Sequence, residues 1–268
     1  MSDSETFLDV VIPAYREEEW LPDLLDCLQR QDLAGVRIII SCSCPPAEQD
    51  IPLPRAGGRT PVPDMSVVRA GMGVANARNA GAAAGTSPWI LFLDSDVLIP
   101  DTFVSRVRGI TAGTPAAAMT FGYYADSHRW PLRAGTRLCY WYLRLGFRLG
   151  RPALPGFATL VRRKVFEEIG GYRPDLGISE DFVFSDELAH AGHSITLHPD
   201  PWVLFSVRRF DTSLVAAARL LWRYLLVDLA RRTTGRRYLH GQIDYGFGEH
   251  RRRSSRRYPA EVRPWHAR

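Results

Sequence analysis

Runs of apolar residues alternate with amphipathic stretches over the first hundred residues. Four apolar runs, rich in β-branched side chains, predict buried strands at 7–15, 36–41, 66–70 and 88–94. Between them, residues 17–31 have the apolar spacing of a helix, and residues 73–85 form an alanine-rich helical stretch. Residues 44–64 are rich in proline and predict a loop. This alternation is typical of an α/β fold with a mostly parallel sheet.

The second half of the chain continues the pattern. It predicts helices at 101–111, 179–192 and 212–232, strands at 116–124 and 194–207, and a turn, strand and short helix over 155–172. Ser179 is the predicted N-cap of the helix that precedes Gly192. Residues 129–150 are aromatic and basic, and we assign them no element. We therefore expect a Rossmann-like sheet flanked by helices, with a C-terminal helical extension.

Polar segments follow three of the predicted strands. We expect the first strand to stop at Pro13, and the segments that follow strands are Pro13 to Glu17, Ser41 to Cys44, and Asp94 to Asp96. In parallel α/β sheets, ligands bind outside the carboxyl ends of the strands. The three segments are therefore predicted to converge on one crevice.

Composition narrows the class of protein. The 268 residues are 46% hydrophobic, which is ordinary for a globular chain. We see no signal-like N-terminus and no apolar run of about 18 residues, so we expect a cytoplasmic protein. The net charge is +5, and Lys164 is the only lysine among the 34 basic residues, an arginine bias that reflects coding composition. Arginine content is therefore discounted as a sign of nucleic-acid binding, and we expect no nucleic-acid partner.

The acidic turn in "ILFLDSDVLIP" carries the first candidate chemistry. Asp94, Ser95 and Asp96 directly follow a buried strand, and two carboxylates so close together repel each other. A positive partner is therefore expected. Two oxygen donors at this edge suit Mg²⁺ or Mn²⁺, which also binds phosphates. A plain acidic turn after a strand is the alternative interpretation.

Two further motifs have both a structural and a functional interpretation. Glu180 and Asp181 open a predicted helix, where acidic residues stabilise the positive end, but an aspartate near a metal also suits a general base. Arg78 and Asn79 lie one turn inside the alanine-rich helix of "GVANARNAG". They either belong to a helix packed on the sheet, or Arg78 contacts a phosphate.

Taken in order, these motifs resemble the family 2 glycosyltransferases of the GT-A fold. The matching pieces are "VVIPAYREE", "GVANARNAG", "WILFLDSD" and "GGY" followed by "ED", together spanning about residues 7–210. The resemblance implies an inverting enzyme that takes a sugar from a UDP- or GDP-linked donor. It implies a catalytic domain over 1–211, with a donor half (1–100) and an acceptor half (101–211). Residues 212–268 would then be an amphipathic helix and a basic tail.

The resemblance also assigns roles to individual residues. Asp96 would coordinate Mn²⁺ or Mg²⁺, Asp94 would lie near the ribose or the metal, and Asp181 would be the catalytic base. The other residues of the expected donor and nucleotide site are Pro13, Ala14, Tyr15, Glu17, Arg78, Asn79, Ser95 and Glu180.

Two departures from the family pattern limit these assignments. The second strand usually ends in an acidic pair that reads uracil, but here it ends in Ser41-Cys42-Ser43-Cys44-Pro45-Pro46, which leaves UDP specificity open. The usual late histidine ligand of the metal is also missing from the matching segment, "LFSVRRF", and His198 lies earlier.

The C-terminal region has two interpretations. Residues 231–268 contain eleven arginines against three acidic residues, and the preceding helix places Leu221, Leu225 and Leu229 on one side. Packing on the body or on a second subunit is the favoured interpretation. The alternative is a membrane-surface helix whose basic tail is attracted to anionic lipid, which would make the protein peripheral at the inner face of the membrane.

Two other functions share the expected fold. A nucleotidyltransferase that makes sugar nucleotides needs a glycine-rich basic loop after the first strand, whereas "PAYREEEW" is acidic and has no glycine. A non-catalytic nucleotide-sugar-binding protein of the same fold remains an alternative.

Overall fold

The structure is a computed structural model. It describes residues 6–15, 17, 20–43, 64–127, 129–176 and 180–208, together with the single positions 219, 222, 226 and 228. The predicted N-cap Ser179, nearly all of the predicted loop 44–64, and most of the predicted helix and tail over 212–268 lie outside these residues.

The first half has the predicted alternation of strands and helices. Its elements are β1 (Leu8–Ala14), α1 (Leu21–Gln29), β2 (Val36–Cys42), β3 (Met65–Arg69), α2 (Val74–Ala84), β4 (Trp89–Leu93) and α3 (Phe103–Gly113). The strands β1, β2 and β4 are almost entirely buried, as expected for apolar strands covered on both faces.

The second half completes the sheet and adds a long helix. Its elements are β5 (Ala118–Ala125), α4 (Trp130–Arg148), β6 (Ala158–Arg162), α5 (Arg163–Ile169), α6 (Glu180–His190) and β7 (Ile195–Phe205). The helix α4 fills the stretch to which the sequence pattern assigned no element. One face of α4 is buried, and its exposed face includes Trp130 and Trp141.

Within the described residues, seven strands form one mixed sheet in the order β3-β2-β1-β4-β6-β5-β7. β6 pairs antiparallel with both β4 and β5, and the other pairings are parallel. The mostly parallel α/β sheet predicted from the sequence is confirmed. Because only β6 runs in the opposite direction, the carboxyl ends of the other six strands lie at one edge.

Helix α2 packs unusually close to the sheet. A Cβ atom on Gly81 would lie 2.3 Å from Cγ1 of Val11 on β1, a distance that side chains do not tolerate. Glycine at this position and alanine along the helix let α2 approach β1 and β2. This approach matters for function because α2 also carries Arg78.

We expected the first strand to stop at Pro13, but it continues to Ala14. Pro13 pairs with Ser41 in register. The O atom of Ala14 accepts a hydrogen bond from the Ser43 N–H at 2.9 Å, so the peptide of Pro13 faces the opposite neighbour, β4. Pairing with β4 has already ended at Val11, so the missing N–H of proline costs no sheet hydrogen bond.

The C-terminal region is described at only four positions, all helical. Trp222 and Leu226 are exposed, whereas Asp228 is buried and accepts a hydrogen bond from the Tyr142 hydroxyl of α4 at 2.5 Å. This contact places Asp228 against α4. In the described part of the chain, we find no helix with the length and apolar character needed to cross a membrane.

Candidate active site

The acidic motifs lie at the carboxyl edge of the sheet. Strands β1, β4 and β7 run in the same direction and end here at Ala14, Leu93 and Phe205. Strand β6 runs the opposite way, so the segment before Ala158 reaches the same edge. The turn after β4 is fastened to β7 by paired backbone hydrogen bonds between Leu98 and Leu204.

Arg78 of α2 joins the turn after β4 to the start of α6. Its side chain is buried; Nη2 donates to Asp94 Oδ1 at 2.9 Å, and Nη1 donates to Glu180 Oε1 at 2.6 Å. Burial acts to lower the pKa of Arg78, but the charges of Asp94 and the other acidic neighbours outweigh burial and raise it. Arg78 is therefore a permanent positive charge shared by two carboxylates.

Gly156, just before β6, makes room for Arg78. Its O atom accepts a hydrogen bond from Arg78 Nη2 at 3.0 Å, and a Cβ atom on Gly156 would lie 2.6 Å from that nitrogen. A larger residue would push the guanidinium off its carboxylates. On another side, Arg78 Cζ lies 5.0 Å from the ring centroid of Tyr172, a cation–π contact.

Asp181 lies beside this cluster with its carboxylate held by two backbone N–H groups. Gly156 N–H donates to Oδ2 and Phe182 N–H donates to Oδ1, both at 2.8 Å. Burial, and after it the charge of Glu180, raise the pKa of Asp181 to about 7, although Arg78 and the two N–H groups act in the opposite direction. A carboxylate with a pKa near neutrality is suited to accept and release a proton.

A second arginine, Arg208, connects Glu17 to Asp96. Its Nη1 and Nη2 donate to the two carboxylate oxygens of Glu17 at 3.0 and 2.8 Å, and its Nε lies 3.2 Å from Asp96 Oδ2. The guanidinium also lies over Trp20, with 4.6 Å from Cζ to the ring centroid. Burial acts to lower the pKa of Arg208, and the hydrogen bonds to Glu17 and the charge of Asp96 raise it.

The other predicted binding residues have varied surroundings. Pro13 and Ser95 are buried, whereas Ala14 and Tyr15 are partly exposed at the end of β1. The side chain of Asn79 donates to Tyr172 O at 2.7 Å and accepts from Tyr172 N–H at 2.9 Å. Asn79 therefore holds the backbone of Tyr172, which precedes α6 in the chain, through two hydrogen bonds.

The structure brings the predicted motifs together as two arginine-centred groups. Arg78 holds Asp94 and Glu180, with Asp181 adjacent, and Arg208 holds Glu17 and Asp96. The end of β2 also reaches this region, since the Ser43 hydroxyl donates to O of Gly73, the residue before α2, at 3.2 Å.

We tested whether the acidic turn fits the divalent ion expected from the sequence. Within the described ranges, no three His, Cys, Asp or Glu side chains are grouped so that they could hold a metal ion. The donor set is also engaged: Asp94 Oδ1 accepts from Arg78, and Asp96 Oδ2 faces Arg208. As arranged here, the turn does not fit a divalent cation unless Arg208 moves away from Asp96.

Sequence reasoning missed Arg208 and Gly156. Arg208 lies in "LFSVRRF", directly after the predicted extended run. A basic residue at the carboxyl end of a predicted strand could have pointed to this site. The arginine bias of the chain hid that signal. Gly156 belongs to a turn in "LPGFATL" whose place in the sheet depends on the reversed direction of β6, which the pattern does not reveal.

The sequence profile described as "Glycosyl transferase family 2" matches residues 9–170, more than half of the chain, and the chain is a member of that family. A search among curated proteins found no match.

Solved structures of glycosyltransferases share the GT-A fold of this chain. Staphylococcus aureus TarS 1-349 in complex with UDP-GlcNAc is 16% identical with a TM-score of 0.59, over 84% of this chain and 66% of that one. The mannosyltransferase PcManGT from Pyrobaculum calidifontis, in complex with GDP-Man and Mn²⁺, is 19% identical with a TM-score of 0.62, over 87% of this chain and 66% of that one. This chain therefore spans slightly less than two thirds of either one.

Proposed function

We propose that this enzyme transfers a sugar from a nucleoside-diphosphate donor to an acceptor hydroxyl with inversion of configuration. One observation carries the proposal: Arg78 binds both Asp94 of the turn after β4 and Glu180 at the start of α6. This contact supports a single site in which donor residues and the catalytic base work together. Residues 1–100 would supply most of the donor side and residues 101–211 the acceptor side.

In this proposal Asp181 is the general base. The acceptor oxygen attacks the anomeric carbon from the face opposite the leaving group and passes its proton to the carboxylate of Asp181. The bond between the anomeric carbon and the phosphate oxygen breaks, and its electron pair leaves with the nucleoside diphosphate. The raised pKa of Asp181 supports this role, because a base must be ionised at the working pH and still hold a proton well.

The expected donor-binding residues would complete this site. Pro13, Ala14 and Tyr15 would flank the nucleotide at the end of β1, and Ser95 would shape the turn that carries Asp94. Asn79 would act indirectly, since its side chain is bound to the backbone of Tyr172. The described residues at the end of β2, as far as Ser43, include no carboxylate that could read uracil. Both UDP- and GDP-linked donors are therefore candidates, as bound by TarS and PcManGT.

Mn²⁺ or Mg²⁺ at Asp96 and Asp94 is what the sequence resemblance implies, and PcManGT was solved with Mn²⁺. When bound, such an ion would stabilise the negative charge on the departing diphosphate. The proposed transfer holds with or without such an ion, and in the structure arginines face both carboxylates.

Location and membrane association are separate proposals. We expect the protein in the cytoplasm, and the arginine-rich sequence of residues 231–268 would attract anionic lipid; Trp222 and Leu226 are exposed among the described positions of the preceding segment. Flotation with acidic vesicles tests this. If deletion of 212–268 leaves vesicle binding unchanged, the segment is not a membrane anchor.

The decisive experiment combines a donor screen with one substitution. Calorimetry and donor hydrolysis with UDP- and GDP-linked sugars should identify a donor, and the Asp181→Asn variant should bind it with similar affinity. Loss of the base should lower the rate of transfer or hydrolysis by about 10²–10⁴-fold. Equal rates for the variant and the parent would remove Asp181 from this role.

The same assay separates the rival functions. A nucleotidyltransferase would release pyrophosphate from a nucleoside triphosphate and a sugar phosphate, and the acidic segment around Glu17, without a basic glycine-rich loop, argues against it. A non-catalytic protein would bind a sugar nucleotide and never hydrolyse it.

A further inference from the structure

Arg208 lies where the sequence led us to expect a divalent cation. Its Nε is 3.2 Å from Asp96 Oδ2, the carboxylate of the acidic turn to which the sequence assigned the metal. Arg208 belongs to "LFSVRRF", the segment that matches the usual place of the family's late histidine ligand and contains no histidine. The chain therefore has a fixed positive side chain next to Asp96, an expected metal ligand.

The position of Arg208 is enforced by its neighbours. The bidentate pair with Glu17 uses both terminal nitrogens, and the Trp20 ring lies against the guanidinium. The side chains of Arg208 and Glu17 are only 13% and 12% exposed. A planar guanidinium held in this way loses little further conformational freedom when it binds an anion.

Arg208 retains hydrogen-bonding capacity. An arginine has five N–H donors, and the aligned hydrogen bonds from Arg208 to described residues use one on each terminal nitrogen. The buried Nε is close to Asp96 but not aligned for a hydrogen bond. These donors suit phosphate oxygens, which a guanidinium binds through parallel hydrogen bonds.

A divalent ion and Arg208 would compete for the same carboxylate. An ion bound to Asp96 Oδ2 would lie within a few ångströms of the guanidinium, and like charges at about 4 Å repel strongly in a partly buried site. Because Glu17 and Trp20 hold Arg208 in place, the arginine has the advantage in this competition.

We propose that Arg208 replaces the divalent cation at Asp96 and binds the diphosphate of the donor, so that donor binding and transfer proceed without a divalent metal. The inference rests on the proposed function and deepens it. As the bond between the anomeric carbon and the phosphate oxygen breaks, its electron pair stays on the diphosphate, and Arg208 stabilises that charge without giving up a proton. The proton of the acceptor hydroxyl goes to Asp181, as above.

The first test needs no variant. Calorimetry of the full chain with UDP and with GDP, in excess EDTA and then in MnCl₂, should give dissociation constants that differ by less than about threefold for the nucleotide that binds. Electron paramagnetic resonance of Mn²⁺ should show no tightly bound ion on the enzyme without nucleotide.

The second test exchanges the arginine. In EDTA, Arg208→Gln should weaken binding of the nucleoside diphosphate by about 10- to 100-fold, the usual range for a hydrogen bond to a charged group. Arg208→Lys keeps the positive charge but lacks the parallel N–H donors of the guanidinium, and it should weaken nucleotide binding less than Arg208→Gln does. Arg208→Gln should also bind Mn²⁺ more tightly than the parent in the resonance experiment, because the guanidinium no longer faces Asp96. Arg30→Gln, which removes an exposed arginine paired with Asp101 at 2.9 Å, is the matched control and should match the parent.

The outcomes separate the inference from the proposed function. If the parent binds UDP or GDP only with Mn²⁺, the proposed function survives and the role of Arg208 is wrong. If it binds neither nucleotide under any condition, the proposed function fails, and the inference fails with it. Should Arg208→Gln not fold, as thermal unfolding would show, the metal dependence of the parent still decides the question.

Discussion

Two buried arginine–carboxylate groups lie at opposite edges of the same sheet. At the amino edge, Arg163 of α5 pairs with Asp9 of β1 at 2.7 Å. At the carboxyl edge, Arg78 pairs with Asp94 and Glu180. The two groups have the same chemistry but differ in how completely their partners satisfy them.

The group at the amino edge is complete. Asp9 is fully buried and accepts hydrogen bonds from the Ser87 N–H, the Ser87 hydroxyl and Arg163. Arg163 uses all three of its nitrogens, with Ser87 O and Ala82 O as its other acceptors at 2.7 Å. One positive charge faces one deeply buried negative charge, which is the arrangement expected of a group that joins β1 to α5.

The group at the carboxyl edge is incomplete. The Nε of Arg78 is buried and finds no hydrogen-bond acceptor among the described residues. One guanidinium serves both Asp94 and Glu180, and Asp181 beside them has a pKa raised to about 7. A surplus of carboxylate and a perturbed pKa are typical of a functional site. The two groups therefore differ in how far their partners are satisfied, and not in whether an ion pair is present.

Breaking the complete group should have the largest effect on stability. Asp9→Ala leaves the buried Arg163 with only the exposed Glu167, 3.7 Å away, as a charged partner and should lower the free energy of unfolding by about 3–5 kcal/mol. Urea denaturation measures the change. Asp101→Ala, which breaks the exposed pair with Arg30, is the control and should cost less than about 1 kcal/mol. A loss below about 1 kcal/mol for Asp9→Ala would contradict the structural role of this group.

The contribution of the carboxyl-edge group to stability should fall as the pH rises. The pKa of Asp181 in the folded protein is about 7, above its ordinary value of 3.8, so ionisation of Asp181 destabilises the folded state. Stability from this group is fully present below about pH 4 and is lost as the pH rises through about 7. Relative to the parent, Asp181→Asn should therefore gain about 2–4 kcal/mol of unfolding free energy between pH 4 and pH 8, at about 1.4 kcal/mol per pKa unit.

Urea denaturation at several pH values measures this gain. Asparagine has one acceptor oxygen fewer than aspartate, and the hydrogen bond lost changes the unfolding free energy of the variant by the same amount at every pH. It therefore does not alter how the stability difference from the parent depends on pH. A stability difference that stays constant from pH 4 to pH 8 would mean that Asp181 has an ordinary pKa.

The smallest effect should come from one charge next to Asp181. Glu180→Gln keeps an oxygen for Arg78 Nη1 but removes a charge that raises the pKa of Asp181. That pKa should fall by about one unit, and the acidic limb of the pH–rate profile should move to lower pH by the same amount. Glu168→Gln, at an exposed residue near His193, is the matched control and should leave the profile in place. An unchanged profile for Glu180→Gln would separate Glu180 from the titration of Asp181.

The sequence predicted much of the first half of the fold because its signals are local. The run at 88–94 is the observed strand β4, Trp89–Leu93, and the acidic turn follows it directly. The stretch 129–150 shows no clear helical pattern in the sequence, because the buried face of α4 includes Thr136 and Tyr140 as well as Leu132 and Leu143. The direction of β6 depends on which strands it pairs with, and no local pattern records that.

The candidate site was predicted in part. The sequence singled out Asp94, Asp96 and Glu180-Asp181 and called for a positive partner at the acidic turn. It assigned that partner to a metal, whereas the structure places Arg78 and Arg208 on the two aspartates. Among 34 basic residues, sequence alone does not show which arginine meets which carboxylate.

By itself, the sequence determined the alternation of elements, the family and the acidic residues at strand ends, because these depend on spacing along the chain and on the cost of leaving a charge unpaired. Only the tertiary structure decided the partners of those acids. Contacts such as Arg78–Glu180 join residues far apart in the chain, and burial in the same region, followed by the charge of Glu180, raises the pKa of Asp181 to about 7.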